Sequence, residues 1–335
     1  MHPVRVTVLG AGSWGTTVAA LSAGRNPTTL WARNPDVASA VNEKHENPSY
    51  LAGFTLPETL RATSDLEEAV ATAELLVVGV PSHGFRTVLE QAAPHVPYWI
   101  PVVSLTKGFE AGTLFRMTEV IRDVLPGRVA GALSGPNLAK EIMAGNAAAS
   151  VIATEDLSVA RELQRVLQRG LFRIYTNHDV TGCEVGGALK NVVAIATGIA
   201  QGLSVGDNTR AAVISRGLAE LTRLGVAMGA EAATMSGLAG MGDLIATCIS
   251  PLSRNRQVGE RLGKGESIDD ILASMNMVAE GVKTAHTVME LAARHHVELP
   301  ICAEIRRVVS GEIPAPEAYR GLMRRAPAGH ESEPV

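Results

Sequence analysis

The chain has 335 residues, of which 46% are hydrophobic and only 19% charged, and its formal net charge is −4. That length exceeds one typical hydrophobic core and carries enough apolar material for two, which excludes a largely disordered protein. The slightly acidic balance excludes a broad electrostatic footprint for nucleic acid or an anionic membrane surface, so any anion site has to be local.

The first element is an apolar strand over residues 4–9 that runs directly into Gly10-Ala11-Gly12-Ser13-Trp14-Gly15 and an alanine-rich helix. A G-x-G-x-x-G turn after a strand and opening a helix is the context in which a dinucleotide pyrophosphate binds. Gly10 permits the tight turn, Gly12 lets backbone approach the phosphates, Gly15 lets helix and strand pack, and the helix N-terminus offers unpaired N–H groups. The second strand reads Thr28-Thr29-Leu30-Trp31-Ala32, and its end carries Arg33 where an NAD-selective site has Asp or Glu. A guanidinium there suits the 2′-phosphate of NADP(H) through charge-assisted bonds, with NAD(H) the alternative cofactor and a solvated surface arginine the alternative role.

Further short, β-branched runs follow at residues 75–80, 102–104, 129–133, 149–153 and 172–175, with helical patterns between most of them. The alternation predicts an α/β unit with a doubly wound, mostly parallel sheet. From Val180 the strand signal vanishes, and residues 182–202, 208–228, 253–263, 268–274, 282–295 and 299–310 read as helix. We therefore expect a dinucleotide-binding domain over residues 1–178, an all-helical domain over 179–325 with the two packing around a cleft, and a disordered tail over 326–335. The N-terminus enters its strand too early for a signal peptide, and the longest apolar helical stretch, about residues 192–203, is too short to span a bilayer; both point to the cytoplasm. Cys183, Cys248 and Cys302 lack metal-ligand spacing and even pairing, which fits buried apolar residues in a reducing compartment and no metal.

Three stretches carry candidate chemistry. On the helix over 182–202, Lys190 stands on a face of small residues with Gly186, Ala194 and Gly198, which would let a ligand approach it; burial favours the neutral amine of a general base, while a snorkelling lysine is the structural alternative. Lys107, in Thr106-Lys107-Gly108, follows the strand at 102–104 and so lies on the carboxyl edge of the sheet, where open α/β sheets bind ligands. If both lysines meet one site, each raises the cost of charging the other. Ser253-Arg254-Asn255-Arg256 reads as a helix start with Ser253 as cap, where N–H groups, a guanidinium and an amide converge on a phosphate dianion. The glycine-rich run 237–242 delivers Asp243, a carboxylate able to orient Lys190, with Thr247 one helical turn later. Arg254, Arg256 and Asp243 each also fit plain surface or capping roles.

These stretches, with Val80-Pro81-Ser82-His83, Ser134-Gly135-Pro136 and Val278-Ala279-Glu280-Gly281, resemble the NAD(P)-dependent glycerol-3-phosphate dehydrogenases over nearly the whole chain. The resemblance implies a Rossmann-like N-terminal domain, a soluble homodimer, and interconversion of glycerol 3-phosphate and dihydroxyacetone phosphate, supplying the backbone of phospholipids. It implies that Lys190 is the proton acceptor and that Lys107, Gly135, Asp243, Ser253, Arg254 and Asn255 contact the substrate. It also implies cofactor contacts from Ser13, Trp14, Arg33, Lys107, Ala139, Arg254, Val278 and Glu280. Asn137 departs from the family, which has Ser or Thr there, although an amide can still bond a substrate oxygen. A ketopantoate-reductase-like enzyme and a non-catalytic dinucleotide-sensing module are the rival readings. The first has no need of a phosphate-binding helix start, and the second has no need of Lys190 and Asp243.

Overall fold

The computed structural model describes residues 2–275 and 279–324, so Val278 and the tail over 326–335 lie outside the described residues. The chain divides into two compact units, one ending at Val180 and one beginning at Thr181.

The N-terminal unit alternates strands and helices: β1 Val6–Leu9, α1 Ser13–Ala23, β2 Thr28–Trp31, α2 Pro35–Lys44, β3 Leu60–Thr63, α3 Leu66–Ala71, β4 Leu75–Val78 and α4 Ser82–Ala92. It continues through β5 Val102–Ser104, α5 Met117–Val124, β6 Ala130–Ser134, α6 Ala139–Met143, β7 Ala148–Ala153, α7 Leu157–Leu167 and β8 Phe172–Asn177. The eight strands form one sheet in the order β3-β2-β1-β4-β5-β6-β7-β8. Every pairing is parallel except β6 with β7. The inner strands are buried on both faces, which is why they read as unbroken apolar runs. Alternate side chains serve different layers: Val8 and Val77 join Val18 and Ala19 of α1 on one face. Leu9, Leu76 and Val78 join Phe85 and Leu89 of α4 on the other.

β3 was not expected from the sequence. It is an edge strand whose Arg61 is exposed, so it lacks the apolar run that marks its neighbours.

The C-terminal unit is helical: α8 Val180–Gly202, α9 Asp207–Ala227, α10 Ala232–Met235, a π-helical turn Leu238–Gly242, and α11 Asp243–Ile249. Then come α12 Arg254–Gly263, α13 Ile268–Ala273, α14 Glu280–His295, α15 Pro300–Val309 and α16 Ala315–Arg324. One expectation needs correction. α8 is one helix of 23 residues, long and apolar enough by composition to cross a membrane, but its apolar window is wholly buried in protein, as a core helix should be. The glycine-rich run before Asp243 is itself helical, closed by a Gly242 N–H to Gly237 carbonyl bond of 3.0 Å, because glycines tolerate the wider π turn and its crowding.

Candidate active site

The glycine turn has the shape its three glycines demand. Gly10 has φ +108°, and a Cβ there would lie 2.9 Å from the Gly79 carbonyl. A Cβ on Gly15 would lie 2.0 Å from the Gly10 oxygen, whereas one on Gly12 would meet nothing within 4 Å. Gly10 and Gly15 therefore close the turn against β4, and Gly12 leaves open space at the α1 N-terminus, the cradle that a pyrophosphate needs. Ser13 opens α1 and donates its hydroxyl to the Tyr50 carbonyl at 2.5 Å. The Trp14 ring packs edge-on against Phe172 of β8, 5.9 Å between centroids. Arg33 is exposed just past β2. Ala139 begins α6 and packs partly buried against the core on the α1 face.

Beyond β5, the Lys107 ammonium donates to the Gly135 carbonyl at 2.8 Å, tying together two residues that the sequence assigned to substrate. Gly135 has φ +130°, and a Cβ there would lie 3.1 Å from Ser150 Cα. Two residues on, the Asn137 carbonyl oxygen accepts from the Ser150 hydroxyl, while its Nδ2 is buried without a partner. An amide donor left unspent in a protein interior costs stability unless a ligand takes it.

In the C-terminal unit, Lys190 of α8 and Asp243 of α11 form a buried ion pair, with 9% and 1% of their side chains exposed. Lys190 also donates to the Thr247 hydroxyl at 2.7 Å, and that hydroxyl donates to the Asp243 carbonyl at 2.7 Å. Asp243 and Thr247 share one face because they lie four residues apart on a helix. Cys248, buried beside them, has its thiol pushed up to about 11, mainly by desolvation and partly offset by a bond from Thr197. It is therefore inert at neutral pH.

Two of the small residues flanking Lys190 also serve packing. A Cβ on Gly186 would lie 2.7 Å from the Ala239 oxygen, and one on Gly198 would lie 2.1 Å from the Arg256 oxygen. They let the π turn and α12 press against α8. This packing carries Asp243 to Lys190 and the start of α12 to Asn191.

Ser253 caps α12 by accepting from the Arg256 N–H at 3.3 Å. Arg254 is exposed on the first turn. The surrounding protein holds its guanidinium below the ordinary arginine value, opposed by the nearby carboxylate of Glu280, the first residue of α14. Asn255 is buried and largely spent: its Nδ2 donates to Asn191 Oδ1 at 2.9 Å, and its Oδ1 accepts from the Gly281 N–H at 3.0 Å. Asn255 thus braces α8, α12 and α14 and retains one N–H of its amide for a ligand. Asn191 was not singled out from the sequence; its only signal is adjacency to Lys190.

Comparison with known proteins bears on both units. The family described as "NAD-dependent glycerol-3-phosphate dehydrogenase N-terminus" matches residues 5–160, and the corresponding "C-terminus" family matches residues 179–320. The chain is 57% identical over 331 residues to a Sphingopyxis alaskensis protein named glycerol-3-phosphate dehydrogenase [NAD(P)+] 2, covering 99% of each. It is 52% identical over 332 residues to a Mycobacterium avium protein of the same activity name, covering 99% of this chain and 97% of that one. Among solved structures, glycerol-3-phosphate dehydrogenase from Coxiella burnetii superposes with a TM-score of 0.92 at 34% identity, covering 96% of this chain and 99% of that one. A ketopantoate reductase from Ralstonia eutropha shares the fold alone, with a TM-score of 0.61 at 15% identity, covering 94% and 99%.

Proposed function

Since the chain belongs to the NAD-dependent glycerol-3-phosphate dehydrogenase family, we propose that it interconverts sn-glycerol 3-phosphate and dihydroxyacetone phosphate with NAD(P), using Lys190 as the proton-transferring group. The observation that carries the mechanism is the buried cluster of Lys190, Asp243 and Thr247.

The N-terminal unit fits a dinucleotide: the open space over Gly12 and the α1 N-terminus would receive the pyrophosphate, with Ser13 and the Trp14 backbone beside it. The nicotinamide, when bound, donates hydride to the substrate carbon in reduction and accepts it in oxidation. Arg33 supports NADP(H) as the preferred form, since a guanidinium beyond β2 complements a 2′-phosphate. We assign Lys107 to stabilising the substrate's carbonyl oxygen and the unspent Asn137 amide to a substrate oxygen.

In the C-terminal unit, Lys190 delivers a proton to the C2 oxygen during reduction and removes it during oxidation. Asp243 and Thr247 hold the ammonium at a fixed point, which lowers the cost of orienting it in the transition state. The Arg254 guanidinium and the first N–H groups of α12 would hold the remote phosphate, anchoring the substrate by an end that does not react. Val278, which lies outside the described residues, and Glu280 remain assigned to the cofactor. With NADPH, reduction is the favoured direction, and its product supplies glycerophospholipid synthesis. The family likeness also supports a homodimer in the cytoplasm.

The rival substrate class is a carboxylate such as ketopantoate. Arg254 at a helix start argues against it, because a planar carboxylate has no need of a site for a phosphate dianion. Assaying glycerol 3-phosphate oxidation and ketopantoate reduction side by side tests the choice, and turnover of ketopantoate alone would overturn our reading. Tight dinucleotide binding with turnover of neither would favour a sensing module.

A further inference from the structure

The loop between α2 and β3 is fastened to the nucleotide turn by the Ser13 hydroxyl on the Tyr50 carbonyl and by a second side chain that no motif marked. Asn47 has 0% of its surface exposed. Its Nδ2 donates to the Ala11 carbonyl at 2.8 Å and to the Thr16 hydroxyl at 2.9 Å, and its Oδ1 accepts from the Tyr50 N–H at 3.2 Å. The orientation of the amide follows from these partners, since a carbonyl can only accept. The loop is held from other sides as well: Leu51 and Leu56 are buried in the core on the α1 face, and the Leu56 N–H bonds the His45 carbonyl at 2.7 Å.

We propose that Asn47 is a positioning residue for the dinucleotide, setting the direction of the Gly12 N–H. The peptide joining Ala11 to Gly12 is planar and trans, so its C=O and N–H point in opposite directions. By holding the Ala11 carbonyl, Asn47 turns the Gly12 N–H away from the loop, at a residue whose Cβ position is open. Without that bond the peptide is free to rotate, because glycine at position 12 offers little resistance of its own. Thr16, one turn into α1, fixes the second hydrogen of the amide and thereby its plane. The inference rests on the proposed dinucleotide site and adds to it a residue that touches the turn rather than the cofactor.

Fluorescence titration with NADPH, combined with steady-state kinetics, tests this. Asn47→Asp keeps the size and the Tyr50 contact but sets an oxygen against the Ala11 carbonyl; we expect the NADPH Kd to weaken about tenfold or more. At saturating NADPH, kcat and the KM for dihydroxyacetone phosphate should stay within about twofold of wild type. Asn42→Ala is the matched control: Asn42 also braces backbone, bonding the Ala62 N–H and carbonyl at 2.9 and 2.8 Å, but it does not touch the turn. It should lower thermal stability and leave NADPH affinity unchanged. If Asn47→Asp does not fold, Thr16→Val decides, with about threefold weaker binding expected. Unchanged NADPH affinity in a folded Asn47→Asp protein, or in Thr16→Val where that is the test, overturns the proposal. A wild-type protein that binds NADPH yet reduces no dihydroxyacetone phosphate would refute the activity and leave the role of Asn47 standing.

Discussion

The ammonium of Lys190 and the carboxylate of Asp243 meet in the interior of the helical unit, with the Thr247 hydroxyl bonded to both partners' atoms. Two charges so little exposed compensate each other, so removing one leaves the other buried without its counter-charge. Asp243→Asn preserves shape and removes the counter-charge. We predict that kcat for reduction falls roughly 10²-fold, the scale of positioned acid–base catalysis. Steady-state kinetics at saturating cofactor and substrate measures the fall.

Arg254 is exposed at the first turn of α12, where the proposed reading puts the remote phosphate. Arg254→Ala should therefore raise the KM for dihydroxyacetone phosphate by roughly 10- to 100-fold, the loss of a charge-assisted bond, with a smaller effect on kcat. Steady-state kinetics at saturating cofactor separates the two. An equal fall in kcat with unchanged KM would move Arg254 from anchoring to chemistry.

On the proposed reading, Arg33 sets the cofactor choice. Arg33→Asp should weaken NADPH about tenfold or more, by exchanging attraction for repulsion at the 2′-phosphate, and spare NADH. The ratio of kcat/KM for the two cofactors reads this directly, and an unchanged ratio would place the selectivity elsewhere.

The contact between α8 and α12 depends on bare backbone. In Gly198→Ala the new Cβ would lie 2.1 Å from the Arg256 carbonyl, so the helices must part. Overpacking of this kind costs about 3 kcal/mol or more. Denaturant unfolding of the variant should show that loss, and activity should fall with it because α12 carries Arg254.

Glu220 of α9 is 4% exposed and accepts the Ile301 and Cys302 N–H groups at the start of α15, at 2.6 and 3.1 Å. Burial raises its pKa above the ordinary carboxylate value, and the two N–H bonds only partly oppose this. A raised folded pKa means that the native state holds the proton more tightly than the unfolded chain. The resulting stabilisation is complete below the unfolded value and is lost as pH rises through the folded one. Wild type should thus gain stability relative to Glu220→Gln as pH is lowered from 8 towards 5, and thermal melts across that range check the sign.

What the sequence revealed follows physical rules. β1, β4 and β5 are buried on both faces and so read as apolar runs, and the glycine turn is local enough for six residues to show it. β3 was invisible because an edge strand with Arg61 exposed has no such run. The pairing of Lys190 with Asp243 was legible as chemistry, because a lone lysine among apolar residues needs a carboxylate. The meaning of Gly186 and Gly198 was not, since small residues admit a neighbouring helix as readily as a ligand. Asn47 left no trace at all: its bond to Ala11 spans 36 positions, and one asparagine in a polar loop has no local signature.

The most direct measurement is the loss of reduced-nicotinamide absorbance when dihydroxyacetone phosphate is added with NADPH, run on wild type and on Lys190→Ala. The account predicts turnover by wild type and a kcat lowered roughly 10²-fold or more in a folded Lys190→Ala protein. An unchanged kcat in that variant would contradict it.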